Sequence, residues 1–225
     1  MKKTVIISLG GSIVVPNNID QKFLQKFVAF ISKNLKTWRF IIVVGGGATN
    51  SRYNEVARKL GVKNYNDLDW IGIATTRLNA QLVRTVFGNK AESFVNSTPH
   101  KKLPWTKPIM IGAGFLPGSS SDLDAVVLAK TYGARKIINL TNTDYVYDSD
   151  PKKNKSAKSI RQISWEDYQK IIGSKWRPRL NSPFDPIASK IAEESKLEVV
   201  IANGRKLDNL GKILQGKKFV GTLIS

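Results

Sequence analysis

Three glycine clusters hold the residues whose types and spacing could do chemistry: Gly10-Gly11-Ser12, Gly45-Gly46-Gly47 and Gly112-Ala113-Gly114. The last runs on through Pro117-Gly118-Ser119-Ser120-Ser121 to Asp122. A glycine loop at the carboxyl end of a strand lets the backbone approach a phosphate while its N–H groups point at the anion. One glycine pair carries little weight, because tight turns need glycine anyway. Three such loops, one entering a helix start through a run of serines, call for more than one phosphate group and for phosphoryl transfer. That chemistry needs two anionic substrates held in line and charge neutralised on the transferring group, with little covalent help from the protein. It suits a chain with no Cys and a single His, His100. Cys–His catalysis, thiolate metal sites and His-rich metal clusters are excluded by the same count. Neither Gly-x-Gly-x-x-Gly nor Gly-x-x-x-x-Gly-Lys-Ser/Thr occurs, which disfavours a Rossmann dinucleotide site and a P-loop.

The elements that must position these loops are short apolar runs alternating with helical patterns. Val5-Ile6-Ile7, Phe40 to Val44, Ile109-Met110-Ile111 and Ile137 to Leu140 each end at or near a turn. Each run is continuous, as strands buried on both faces of a mostly parallel sheet are. Between them, Asp20 to Leu35 places Phe23, Leu24, Phe27, Phe30 and Ile31 on one helical face behind Asp20 as N-cap. Helical patterns also cover Asp69 to Val86, Asp122 to Tyr132, Asp185 to Lys196 and Lys206 to Leu214. This alternation predicts a three-layer α/β/α sandwich around a mostly parallel sheet. Asn96 to Trp105 and Asp148 to Ser159 read as loops, the second carrying the surface lysines Lys152, Lys153, Lys155 and Lys158.

With 225 residues and 41% hydrophobic content the chain can fill a proper core, so intrinsic disorder is excluded. Its 36 Lys+Arg against 17 Asp+Glu give a formal charge of +19, spread over both halves. Such a charge attracts polyanions in general, from nucleotides to nucleic acid, without choosing among them. No apolar run approaches the ~18 residues of a membrane span. The first apolar stretch breaks at Gly10-Gly11, too early for a signal-peptide core, so a cytoplasmic protein is expected.

Several of these segments together resemble the uridylate (UMP) kinases of the archaeal type, within the amino acid kinase superfamily. They are Ser8-Leu9-Gly10-Gly11-Ser12, Val43 to Gly47, the stretch Asp69 to Ala80, Pro117 to Asp122, and Thr141 to Pro151. The resemblance continues through Asp185 to Ile191 and Phe219 to Ile224, and Asp69 to Ala80 is its most specific part. It implies a single domain over residues 1–225, with an acceptor side over about 1–112 and an ATP side over about 113–225. It further implies transfer of the ATP γ-phosphoryl group to UMP with Mg2+, giving UDP in pyrimidine nucleotide biosynthesis, by a homo-oligomer that is usually a hexamer.

By the same resemblance Gly10, Gly11, Ser12 and Asp185 are catalytic. Ser8, Leu9, Gly46, Thr141, Tyr147 and Asp150 join the glycine loop on the ATP side. Gly45, Asp69 and the loop Phe115-Leu116-Pro117-Gly118-Ser119-Ser120-Ser121 hold UMP, with Asp69 on its ribose or base. Where bacterial relatives have a lysine this chain has Ser8, and where archaeal relatives carry arginine it has Ser51 followed by Arg52. Arg52, Arg77, Arg177 and Arg179 are the candidate phosphate cations. The family's Pro-Gly-His-Thr-Thr-Asp becomes Pro117-Gly118-Ser119-Ser120-Ser121-Asp122, and Tyr145 replaces a turn glycine, which reshapes that turn if φ there is positive. His100, in a polar loop, is expected to be solvated, and Asp122 and Asp124 to open a helix. Two alternatives stay open: a superfamily kinase for another small phosphate or carboxylate acceptor, and a catalytically impaired nucleotide- or nucleic-acid-binding homologue.

Overall fold

A computed structural model describes residues 2–151, 153–172 and 183–225. Ten strands alternate with eight α-helices among these residues. The strands are β1 (Lys3–Leu9), β2 (Trp38–Val44), β3 (Ala91–Asn96), β4 (Ile109–Gly112), β5 (Lys136–Thr141), β6 (Val146–Tyr147), β7 (Ser159–Ile160), β8 (Gln162–Ile163), β9 (Glu198–Asn203) and β10 (Thr222–Ile224). The helices are α1 (Gly11–Val14), α2 (Gln21–Asn34), α3 (Gly47–Lys59), α4 (Tyr65–Phe87), α5 (Ser121–Tyr132), α6 (Trp165–Ile172), α7 (Pro186–Glu194) and α8 (Leu207–Leu214).

Eight strands form one sheet in the order β3-β4-β2-β1-β5-β9-β10-β8, and β6 pairs with β7 in a small ribbon. Every pairing in the large sheet is parallel except β10 with β9. The strand alternation divides the core into two layers. Phe40, Ile42 and Val44 of β2 face one way, with Phe23 and Phe27 of α2, Val83 of α4 and Ile213 of α8. Ile41 and Val43 face the other, with Val126 and Leu128 of α5, Tyr168 of α6 and Ala188 of α7. A strand buried on both faces needs apolar residues at consecutive positions, which explains the continuous runs.

The predicted helix behind Asp20 forms as expected: its carboxylate accepts from the Phe23 amide at 2.9 Å. The pattern beginning at Asp69 starts earlier, because Asn64 caps α4 by accepting from the Asn66 amide. Asp69 therefore lies inside the helix, one turn beyond its start. Nine elements carry no sequence expectation: β3, β6, β7, β8, β9, β10, α1, α3 and α6. The carboxyl ends of β1, β2, β4 and β5 meet along one edge, and the glycine clusters lie there.

Candidate active site

The β1 and β2 loops pack backbone against backbone. A Cβ on Gly11 would stand 2.0 Å from the Gly47 nitrogen, and one on Gly45 2.5 Å from the Gly11 nitrogen. Gly47 itself has φ +60°, a region that side chains with a Cβ avoid. These contacts leave room only for glycine. The Gly10 amide donates to the Leu140 carbonyl at 2.9 Å, joining the first loop to the end of β5. From α4, the buried Asn79 side chain donates to the carbonyls of Gly45 (2.9 Å) and Gly46 (3.0 Å). That ties down the acceptor groups of the second loop, a use of Asn79 that sequence reasoning missed. Its signal was a polar side chain on the otherwise buried face of a helix. Leu9 is fully buried, so only its backbone can meet a ligand, while Ser12 is exposed.

Ser12, Gly47, Ser51 and Arg52 line an open groove of about 650 Å³ beside the two loops. Arg52 donates to the Asn17 carbonyl across it.

On the other side of the β1 loop, Asp122 joins three elements. Its Oδ1 accepts from the Ser8 hydroxyl (3.0 Å) and the Asn139 amide (3.3 Å), and its Oδ2 from the Asp185 backbone amide (3.3 Å). Asn139 also donates to the Pro183 carbonyl at 2.8 Å. Asp185 caps α7, its Oδ1 accepting from the amides of Ile187 and Ala188, with Pro186 beginning the helix. The buried Tyr168 hydroxyl clamps Phe184 through both its carbonyl and its amide, which fixes the residue before Asp185. Burial pushes the Asp122 carboxyl up to about 7, and the neighbouring Asp185 charge adds to the rise. With Ser8 rather than a lysine beside them, the Asp122 and Asp185 carboxyls resist ionising together. The sequence reading took Asp122 for a helix opener; its partner Ser8 lies 114 residues away, which a local pattern cannot show.

The third cluster forms a loop held by side chains from two helices. From α4, Thr76 Oγ1 accepts from the Gly114 amide (2.9 Å) and Asp69 from the Gly118 amide (2.9 Å). Arg77 donates to the carbonyls of Gly114 and Phe115, both at 3.2 Å. Its guanidinium therefore grips the loop. From α5, Ser120 caps the helix by accepting from the Leu123 amide, and Ser119 donates to Asp124 at 3.0 Å. Leu116 and Gly118 are exposed at the tip, Pro117 is half-buried, and Ser121 is the first residue of α5. His100 is exposed but not merely solvated: its ring lies 4.8 Å from the ring of Phe115.

Beyond β5, Thr141, Tyr147 and Asp150 follow one another along a half-buried path. Tyr147 pairs with Ser159 in the β6–β7 ribbon, and the Asp150 carbonyl accepts from the amides of Lys153 and Asn154. Lys153, Lys155 and Lys158 are exposed, as a solvated loop would be. Tyr145 has a negative φ, since Lys196 is the one non-glycine residue with positive φ among the described residues. The turn is thus built without the glycine geometry, and Tyr145 packs edge-on against Tyr147. Arg177 and Arg179 lie outside the described residues.

Residues 3–203 match the amino acid kinase family. The chain is 34% identical to a uridylate kinase of Thermoplasma volcanium, covering 100% of this chain and 98% of that protein. It is 33% identical to one of Methanoculleus marisnigri, with 99% and 95% covered. Among solved structures, the uridylate kinase of Archaeoglobus fulgidus superimposes with a TM-score of 0.85 at 32% identity, all of both chains being covered. The UMP kinase of Ureaplasma parvum, at 21% identity and TM-score 0.81, shares the fold. A family match over most of the chain, with full-length relatives above 30% identity, leaves one conclusion: this chain belongs to the amino acid kinase family.

Proposed function

We infer that the chain is a uridylate kinase, an enzyme that moves the γ-phosphoryl group of ATP to UMP and releases UDP. The observation that carries this reading is the backbone contact between the β1 and β2 loops, flanked by the Asp122–Asp185 junction on one side and the gripped loop on the other. Two anions can approach such a seam from opposite sides, which in-line transfer requires. Full-length similarity to uridylate kinases disfavours both a different acceptor and a non-catalytic homologue.

On the donor side, the Gly10-Gly11-Ser12 backbone and the Ser12 hydroxyl offer hydrogen-bond donors to the transferring phosphates, with Ser8 and Leu9 fixing the loop from below. Thr141, Tyr147 and Asp150 border the space for the ATP nucleoside. Gly46 borders the transferring phosphates; on the acceptor side, Gly45 lies at the UMP phosphate, and Asp69 at its ribose through the carboxylate oxygen not engaged by Gly118. The loop Phe115 to Ser121 covers the base. Asp122 orients Ser8 and the start of α7 and keeps the strand ends in register.

Among the described residues no group of three or more His, Cys, Asp or Glu side chains is arranged to hold a metal ion unaided. The residues nevertheless suit Mg2+ carried in on ATP: Asp185 spends Oδ1 on α7, Oδ2 makes no hydrogen bond among the described residues, and a cation there would offset the charge that Asp185 sets against Asp122. Bound there, the ion would neutralise charge on the transferring oxygens.

A homo-oligomer is supported by α3, which buries only Asn54 while Tyr53 and Val56, with Leu60 beyond its end, are 56–80% exposed. A hexamer, a cytoplasmic location and a place in pyrimidine nucleotide synthesis follow from the same reading. No helix among the described residues is long and apolar enough to cross a membrane. Purified protein supplied with Mg2+, ATP and, in turn, UMP, CMP, dCMP and small carboxylates tests the proposal. UDP formation well ahead of the other products is expected, and folded protein that makes no UDP would overturn it.

A further inference from the structure

The loop over the acceptor side is gripped from α4 by Asp69, Thr76 and Arg77, all through backbone atoms of the loop. The grip from α5 differs in kind. Asp124 is 1% exposed, and its Oδ1 accepts from the Ser119 hydroxyl at 3.0 Å. Its Oδ2 is buried with no hydrogen-bond partner. Burying a carboxyl with a bare oxygen is costly, so the fold gives up stability at this point. Ser119 stands where the resembled pattern has histidine.

We propose that Asp124 is a positioning residue for acceptor binding: by holding Ser119 from beneath, it keeps the Phe115–Ser121 loop seated over the acceptor. It sets how tightly the acceptor is held without taking part in transfer. Naming UMP as that acceptor rests on the uridylate kinase reading.

Charge state then matters. Burial pushes the Asp124 carboxyl up to about 7, while the Ser119 hydroxyl, the Phe115 amide and Arg77 of α4 favour its charged form. Asp122, on the same helix turn, is close enough that the two carboxylates repel when both are ionised. An ionised Asp124 accepts more strongly from Ser119 and draws Arg77 toward the loop; a protonated one loses that charge assistance.

The test compares native protein with Asp124→Asn, Ser119→Ala and the double variant, reading kcat and KM for each substrate from pH 5.5 to 9. Asp124→Asn is expected to raise the UMP KM on the order of tenfold at pH 8. The ATP KM and kcat should stay within about twofold. Because the two residues act as one unit, the double variant should raise KM no further than Asp124→Asn alone. An unchanged UMP KM, or an equal loss carried entirely in kcat, would overturn the proposal. Hydrogen exchange of residues 114–120 supplies a readout that needs no turnover: both single variants should speed exchange there and leave α4 and β5 unchanged. If native protein makes no UDP, the functional reading fails, and exchange still decides whether Asp124 holds the loop. Exchange unaltered in Ser119→Ala would sink the proposal even if Asp124→Asn failed to fold.

Discussion

Asp122 and Asp124 stand two residues apart on the first turn of α5, and burial raises both to about 7, yet they hold different kinds of structure. Asp122 binds Ser8 of β1, Asn139 of β5 and the backbone at the start of α7, all rigid parts of the core. Asp124 holds the Ser119 hydroxyl, with the Phe115 amide beside it, in a loop whose tip is exposed. Successive positions on a helix point in different directions, so two carboxylates can serve opposite sides of one seam from one turn. The junction at Asp122 ties core strands and a helix start to one another, whereas the loop is held by separate side chains reaching in from α4 and α5. Changes at the junction should therefore appear in kcat, and changes at the loop in the acceptor KM.

The largest effect is expected at the junction. Asp122→Asn keeps the shape but turns an acceptor oxygen into a donor facing the Ser8 hydroxyl, the Asn139 amide or the Asp185 amide. Steady-state kinetics should show kcat lower by roughly 10³, as for loss of a preorganised electrostatic group, with the UMP KM changed by less than about threefold. Equal movement of kcat and KM would erase the distinction between the two regions.

Next in size is a pH effect on stability at Asp124. Its folded pKa is raised above the unfolded value, so between about 4 and 7 the folded state binds more protons than the unfolded one. By linkage, stability falls as pH rises through that window. Asp124→Asn removes this loss, so the variant should gain roughly 2–4 kcal/mol relative to native protein between pH 4 and pH 8. Urea unfolding at both pH values measures it. A constant difference between the two proteins would show that Asp124 carries no such cost. The same substitution is expected to loosen UMP binding, so stability and acceptor affinity should move in opposite directions.

Arg77 sharpens the comparison from the other helix. Arg77→Gln removes the charge and the forked grip on the Gly114 and Phe115 carbonyls. The UMP KM should rise about fivefold to tenfold with a smaller change in kcat. A kcat loss of a hundredfold at unchanged KM would instead place this guanidinium at the transferring phosphate.

How much of this was legible in the sequence follows the range of the interactions. β1, β2, β4 and β5 were read from apolar runs because strands buried on both faces show one. α3 left no trace, since it buries a single residue, Asn54, and so has no apolar stripe. β10 is three residues long and antiparallel, below what alternation can register. At the site, the glycine loops were visible because close backbone contact selects one residue type. Ser8–Asp122 and Ser119–Asp124 were not, since a hydroxyl beside a carboxylate leaves no mark on the spacing along the chain. Asp69 and Arg77 were picked out, but their grip on the loop depends on how α4 lies against β4.

The smallest expected effect lies on the side we propose for the donor, at Tyr145. The sequence suggested a glycine turn forced to take a bulky residue, in which case Tyr145→Gly would relieve strain and stabilise the protein. In the structure the φ is negative, the Tyr145 carbonyl accepts from the Thr143 hydroxyl at 3.1 Å, and the ring packs on Tyr147. Glycine here would release no strain, would lose the ring contact and would add freedom to the unfolded chain. Tyr145→Gly should therefore destabilise by about 1 kcal/mol and raise the ATP KM modestly, through Tyr147, while leaving the UMP KM unchanged. A stabilising outcome would mean the turn is strained after all. A change in UMP KM would mean that the donor ribbon and the acceptor loop are coupled across the seam rather than held separately by Asp122 and Asp124.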